Sequence, residues 1–502
     1  MKTIILGPPG TGKTTTLLNL VDDFLSSGVK PNKIGYFSFT NKAADEAIDR
    51  AVKRFQLDEK KELTYFRTLH SMAFRALGAN KDRMMQSQDY KEFGKLCGIP
   101  IKKAYYSQDD GVFDSDNEYL KIINNARVKN IDVMEEYDRN VHNLDIERNT
   151  LILIDQELKK FKKERGMKDF TDLLVEFVEK DLGPNLDVLV IDEAQDLSAA
   201  QWAMVRCMWD KAEKTYIAGD DDQAIFQWAG ADISHFIALK NEVDNIKILD
   251  QSYRIPGGPI HELSQRIISK VSDRYAKEYK PREEEGILEY YTDLTQVDMS
   301  SGQWLVLSSA NYFLEDVKDL CEIQGWYFSH RGKNSISLEL LLAINNWERW
   351  RKGGSLSYLE IKNIYRFLGP SVAPGYNSGK TLRSDDRYTI EDCKLNHGLL
   401  KTEVWYDSFQ KLSSTEENYI RNMLAKGEKI NQNPRITLST IHAAKGGECD
   451  NVLILPDLSN AAVKSYDNDP DETHRLFYVG VTRAKKGLHI IEPRNTDKAY
   501  IL

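Results

Sequence analysis

The stretch Gly7-Pro8-Pro9-Gly10-Thr11-Gly12-Lys13-Thr14 satisfies G-x-x-x-x-G-K-[ST] at every constrained position. It follows the apolar run Thr3-Ile4-Ile5-Leu6 and precedes a helical pattern that reaches about Ser26. Strand, Gly-rich loop and helix form the setting in which backbone N–H groups and a helix N-terminus cradle phosphate oxygens. Gly7, Gly10, Thr11, Gly12 and Thr15 are candidates to line that cradle. Lys13 is placed to reach the β/γ-phosphates, and the Thr14 hydroxyl to ligate Mg²⁺. The chain is therefore expected to bind a nucleoside triphosphate.

At 502 residues, more than one domain is expected. Hydrophobic content of 41% and charged content of 29% describe a globular chain. A net charge of −9 leaves room for a nucleic-acid partner only in a local basic groove. Cys97, Cys207, Cys321, Cys393 and Cys449 are scattered without C-x-x-C spacing, which argues against zinc, Fe–S and disulfide frameworks. A reducing cytoplasm is the expected compartment. The phosphate loop begins so early that no cleaved signal is expected, and no apolar run approaches the ~20 residues that span a bilayer.

Short β-branched runs, at 34–40, 65–68, 187–191, 215–219 and 246–249, alternate with helical patterns, as in a parallel α/β sheet. A second series has runs at 304–307, 436–440, 451–455 and 488–491. The expected fold is α/β, with two RecA-like P-loop parallel-sheet domains, each bearing a mainly helical insertion. The boundaries read as 1–78 and 168–252 for the first motor and 79–167 for its insertion. The second motor reads as 253–332 and 434–502, with its insertion at 333–433. Gly369-Pro370 to Gly379 is the clearest loop punctuation, and no internal repeat is present.

Asp187-Val-Leu-Val-Ile191 is a buried-strand run that ends in Asp192-Glu193-Ala194-Gln195-Asp196. Asp192 is placed to hold Mg²⁺ beside Thr14, and Glu193 to deprotonate the attacking water. A further strand leads to Gly219-Asp220-Asp221-Asp222-Gln223, with Phe226 and Trp228 just behind. Gln223 is a candidate γ-phosphate sensor, and the two aromatics are candidates to stack single-stranded bases. Trp228 taken alone reads as a core residue; its place behind the sensing loop favours stacking. Tyr253 and Arg254 offer a ring for adenine and a cation for phosphate. Late in the chain come Thr440-Ile441-His442-Ala443-Ala444-Lys445-Gly446-Gly447-Glu448 and Val481-Thr482-Arg483-Ala484. Arg483 is a candidate arginine finger in cis, offered by the second core to the nucleotide of the first.

In their order these blocks resemble the UvrD/Rep/PcrA-type helicases of superfamily 1A. Phe39-Thr40-Asn41-Lys42-Ala43-Ala44, Thr68-Leu69-His70-Ser71 and Asp169-Phe170-Thr171-Asp172-Leu173-Leu174 match further family blocks. The match runs from residue 1 to about 487 and is nearly silent over the insertions. It implies a DNA-stimulated ATPase that moves 3′→5′ on single-stranded DNA and unwinds duplex in replication or repair. ATP and Mg²⁺ would be its cofactors, and single strands and ss/ds junctions its partners. It implies DNA contacts by Phe39, Thr40, Asn41, His70, Trp228 and, in its late block, His442. It implies nucleotide contacts by Lys13, Thr14, Asp192, Glu193, Gln223, Tyr253, Arg254, Glu448 and Arg483. The family's adenine-reading glutamine has no counterpart before Gly7, so loose base selectivity is expected. Ala229 stands where the family has Arg, and Gly447-Glu448-Cys449 where it has Leu-Glu-Phe. The insertions read as smaller than usual, and only 19 residues follow Arg483. Two rival readings are a translocase that strips proteins with little unwinding and a nucleotide-switched DNA-binding module.

Overall fold

A computed structural model describes residues 1–39, 41–58, 61–107, 111–140, 146–374, 382–383, 386–429 and 432–502. Thr40, expected at the DNA contact, lies outside them, as do 375–379 of the loop punctuation. The chain forms two compact units, Met1–Glu285 with Ser465–Thr482, and Gly286–Lys464 with Arg483–Leu502.

Among the described residues the main sheet of the first unit has six strands: β1 (Lys2–Leu6), β2 (Ile34–Ser38), β3 (Phe66–Thr68), β6 (Val188–Asp192), β7 (Lys214–Gly219) and β8 (Asn245–Ile248). Between β3 and β6 a short antiparallel hairpin, β4 (Ala104–Tyr106) and β5 (Phe113–Ser115), belongs to the first insertion. The sheet order is β3-β2-β6-β7-β1-β8, and every neighbouring pair is parallel. Parallel sheets bury both faces, and the strands alternate accordingly. Ile4, Leu6, Leu189 and Ile191 enter one core with Trp202 and Met204. Ile5, Val188 and Val190 enter the other with Leu17 and Leu18.

Register sets the site. Leu6 pairs with Gly219 and Ser38 with Asp192, so β1, β2, β6 and β7 end almost level. The sequence blocks expected to hold phosphate and metal therefore emerge along one sheet edge, outside the carboxyl ends of the strands. That is where open α/β sheets bind ligands.

The first insertion adds the helices Ser87–Cys97, Glu118–Val128, Val133–Asn140 and Arg148–Arg165. Its anchor is ionic. Asp169 caps the helix Phe170–Glu179 in a capping box with Asp172. Arg127 and Lys162 come from two insertion helices to meet both carboxylates. Arg127 and Lys162, with burial opposing them, hold the buried Asp169 carboxyl far below its ordinary pKa.

The second unit holds β9 (Ile287–Tyr291), β10 (Trp304–Ser308), β11 (Phe328–His330), β12 (Lys333–Asn334), β15 (Ile436–Thr440), β16 (Cys449–Leu455) and β17 (Ala484–Ile491). The insertion between β12 and β15 contains the small antiparallel pair β13 (Leu356–Ser357) and β14 (Arg387–Tyr388). Sheet order is β12-β11-β15-β10-β16-β17-β9, parallel throughout except at β11–β12. Insertion helices such as Leu338–Arg351 share one core with this sheet, with Trp347 and Trp350 fully buried.

Residues 253–285 and 465–482, read from the sequence with the second motor, group with the first compact unit. Ser252 and Tyr253 are bonded to the phosphate loop, and the helix Pro259–Ile268 packs on the helix Pro470–Val481. Tertiary bonds that no local pattern announces decide this assignment.

Candidate nucleotide and nucleic-acid site

The phosphate loop is built by two glycines in left-handed backbone, Gly10 (φ +72°) and Gly12 (φ +78°). A Cβ at Gly10 would also press to 2.3 Å from Arg254 Cβ. Gly12 caps the helix Lys13–Ser26 without any side-chain bond, so its first N–H groups have no side-chain cap to displace. The loop is fixed from outside. Gly7 N–H donates to the Gly219 carbonyl (3.0 Å), Tyr253 N–H to the Gly10 carbonyl (2.8 Å), and the Ser252 hydroxyl to the Pro9 carbonyl (2.7 Å). Thr11 is buried, its hydroxyl on the Pro8 carbonyl, and Lys13 Nζ folds back to the Gly7 carbonyl at 2.8 Å. Thr15 lies in the first turn of the helix.

Asp192 ends β6 fully buried. Its Oδ2 accepts from the Thr14 hydroxyl (3.0 Å) and the Tyr36 hydroxyl (2.9 Å). Burial first, and then the neighbouring Glu193 charge, push its pKa up to about 6. An all-oxygen donor set around an acid whose burial is not offset fits a hard divalent cation. Glu193 sits in left-handed backbone at φ +52°. Its Oε2 accepts from Gln195 Nε2 (2.5 Å), and Gln195 Oε1 accepts from Asp220 N–H (3.0 Å). Asp220 Oδ2 in turn accepts from Gln223 Nε2 (2.5 Å). An unbroken relay thus joins Glu193 to Gln223. Tyr253 carries its ring 71% exposed beside the loop, available for stacking.

The aromatics behind Gln223 divide by exposure. Phe39 is buried and stacks on Phe226, with ring centroids 5.7 Å apart. Trp228 is 52% exposed and lies 6.3 Å from Phe226. Gly230 (φ +95°) presses the segment onto the first insertion: a Cβ there would lie 2.3 Å from Val128 Cγ2. His70 stands edge-on to Phe170 at 5.8 Å, in the helix Leu69–Ala76 that Thr68 caps. A cavity of about 560 Å³ gathers Phe39, Asn41 and His70 with Tyr105, Tyr106 and Phe170. Rings around an open cavity can stack bases without reading them.

The comparisons decide the family. The UvrD/REP helicase N-terminal domain matches residues 1–244, and the UvrD-like helicase C-terminal domain residues 400–495. The chain belongs to the UvrD/Rep/PcrA-type helicases of superfamily 1A. It is 21% identical to the ATP-dependent DNA helicase Rep of Buchnera aphidicola subsp. Acyrthosiphon pisum, over 97% of this chain and 91% of that protein. It is 24% identical to the ATP-dependent DNA helicase PcrA of Bacillus subtilis, over 73% of this chain and 50% of that protein. A probable DNA helicase of Mycoplasma pneumoniae is 22% identical over 97% of this chain and 80% of its own length.

In this UvrD-type helicase, three expected site residues belong to the second unit. Arg483 is buried and donates from Nη1 to the Gly447 carbonyl at 3.1 Å. Glu448 is half exposed, 3.6 Å from Lys485 Nζ. His442 lies just past β15; burial, then the Lys445 charge, hold its imidazole pKa down at about 4. Sequence reasoning missed Tyr36, Gln195 and Ser252, which hold the expected ligands. Tyr36 reads as one more apolar residue of a buried strand, so no local signal marks it.

Among the described residues no helix is long and apolar enough to cross a membrane.

Proposed function

We propose that this helicase hydrolyses ATP to move 3′→5′ along single-stranded DNA, and that it acts at ss/ds junctions. The observation that supports this best is the continuity of the first unit's site. Thr14 meets Asp192 at 3.0 Å, and the relay from Glu193 through Gln195 and Asp220 ends on Gln223, five residues before Trp228. Nucleotide chemistry and a stacking ring share one segment.

In this reading Gly7, Gly10, Thr11, Gly12, Lys13 and Thr15 grip the phosphates. Mg²⁺ held by Thr14 and Asp192 would supply positive charge against the phosphate oxygens. Glu193 takes the proton of the attacking water, and Gln223 responds to the γ-phosphate. Tyr253 stacks on the base, while Arg254, Glu448 and Arg483 complete the nucleotide contacts on the strength of the family match. Asn41, His70, His442, Phe39, Phe226 and Trp228 serve the strand, with Thr40 assigned there by its motif alone. If grip at Trp228 alternates with the nucleotide state, each turnover shifts the strand one way, a population shift driven by differential contacts.

The test is ATPase with poly(dT), duplex DNA and RNA, then strand displacement from 3′- and 5′-tailed duplexes. Stimulation by poly(dT) and opening of the 3′-tailed substrate alone are expected. Efficient opening from a 5′ tail reverses the polarity. Displacement of a bound protein block without unwinding favours the stripping translocase. Turnover indifferent to DNA favours the switched binding module.

A further inference from the structure

Asp220, Asp221 and Asp222 are consecutive and all essentially inaccessible, at 0–1% exposure. Three adjacent carboxylates bury at great cost unless they are paired. One ammonium serves all three. Lys277 Nζ lies 3.1 Å from Asp220, 2.5 Å from Asp221 and 2.8 Å from Asp222, with its own side chain 1% exposed. Arg274 forks onto Asp222 through two bonds of 2.7 and 2.6 Å, and Tyr275 N–H donates to Asp221 (2.6 Å). Burial pulls the Lys277 pKa down, and the charges of Asp220, Asp222 and Asp221 outweigh it, holding the pKa above the usual lysine range.

The segment carrying Lys277 is itself tied at both ends. Asp471 accepts the Ser272 N–H and hydroxyl, and Arg475 donates to the carbonyls of Asp221 (3.0 Å) and Asp273 (2.6 Å). Beyond Lys277, the Lys280 carbonyl accepts from Ser252 N–H (2.8 Å), and the Lys280 N–H donates to the Asp250 carbonyl (2.6 Å). Ser252 holds the phosphate loop, and Tyr253 is its neighbour in the chain. One strap therefore runs from the base-stacking end of the site to the carboxylates beneath Gln223.

We propose that Lys277 is a positioning residue for ATP hydrolysis, its buried ammonium fixing Asp220 and, through Asp220, the side chain of Gln223. This rests on the proposed role of Gln223. Asp220 spends one oxygen on Lys277 and the other on the Gln223 amide. Without the ammonium, three like charges lie together, Asp220 moves or takes a proton, and the amide loses its acceptor. Among the described residues Lys277 pairs with the three carboxylates and with none of the nucleotide-binding loop, so its loss should fall on turnover more than on affinity.

Lys277→Met alone endangers the fold, because it strands three carboxylates. The double variant Asp221→Asn/Lys277→Met keeps the local charge at its wild-type balance. Three carboxylates against Lys277 and Arg274 become two against Arg274. Its thermal transition should stay near that of the wild type. Its kcat should fall about 30-fold while mant-ATP affinity changes less than about threefold, the split of a group that acts after binding. In a Gln223→Ala background the same double change should cost less than about threefold more, since both act through one amide. A folded double variant with undiminished kcat, beside a Gln223→Ala that is crippled, overturns the role of Lys277 alone. So do losses that multiply. A Gln223→Ala with near-normal kcat overturns the sensor reading and this inference with it.

Discussion

Both units carry a parallel sheet whose central strands end level, and the loops at those ends differ. In the first, Leu6 opposes Gly219, and the loops leaving β1, β6 and β7 are a glycine cradle, an acid pair and a carboxylate–amide block. In the second, Ser308 opposes both Thr440 and Leu455. The loops leaving those strands place the Ser309 hydroxyl on the Asp457 carbonyl (2.6 Å) and form the turn that Thr440 closes onto Ala443 N–H (3.3 Å). None of these loops carries the G-x-x-x-x-G-K-[ST] spacing of residues 7–14. The same architecture thus serves twice, and the glycine cradle and the acid pair stand on the first copy. Function resides in the loops rather than in the sheet. The second unit's expected share narrows to a few side chains, Arg483 foremost.

Six variants put that contrast to the test. Arg483→Ala has the largest expected effect, a fall in kcat of ~10³-fold or more with ATP binding largely kept. A fall under tenfold would leave the second unit without a chemical role at this residue and turn attention to Arg254.

Next come the first unit's own loops. Glu193→Gln should cost about 10²–10⁴-fold in single-turnover hydrolysis with nucleotide still bound, whereas Lys13→Ala should weaken binding itself. Near-normal single-turnover hydrolysis by Glu193→Gln would remove it as the base.

The buried cluster of the first unit predicts a pH signature. Burial pushes the Asp221 carboxyl up to about 6, with Lys277 opposing and Asp222 and Asp220 adding to the rise. Arg274, Arg475 and the Tyr275 N–H complete its surroundings. A carboxyl whose folded pKa is raised favours the folded state at low pH, and that advantage is lost as pH climbs from about 4 through about 6. The unfolding free energy of the wild type relative to Asp221→Asn should therefore drop by up to about 3 kcal/mol over that window, then level off. Denaturant melts of the two proteins at pH 4, 5, 6 and 7 measure it; a flat difference refutes the assignment.

Trp228→Ala should lose about 1–3 kcal/mol of single-strand affinity. DNA-independent ATPase should persist while strand displacement collapses, read by fluorescence anisotropy of labelled poly(dT) alongside a gel assay. Loss of the DNA-independent ATPase too would mean that the ring supports the loop rather than the strand. Last, Ser309→Ala, at the second sheet's counterpart position, should leave kcat within about twofold, as for a surface change outside the machinery. A large loss there would erase the contrast between the two sheets.

Much of this molecule is legible locally. The cradle is announced by glycines where the backbone must turn left-handed. The central strands are announced by β-branched runs, because a parallel strand covered on both faces needs apolar residues at every position. Two strands of the second sheet, β9 and β11, escape the same reading. β9 leaves Ile287 and Tyr290 more than half exposed, and β11 is only three residues long, so neither shows the run that marks a buried strand.

The nucleotide loop, the acid pair, the alternation of strand and helix and the family to which they belong can all be read in the amino-acid order. All of these are written in spacings of a few residues, where turn geometry and side-chain periodicity act. Folding alone brings Tyr36 to Asp192 from 156 residues away, Lys277 among Asp220–Asp222, and Arg475 to Asp221 across 254 residues. Which cation meets a buried carboxylate depends on how distant elements pack, and desolvation makes that pairing obligatory without leaving any local pattern in the sequence.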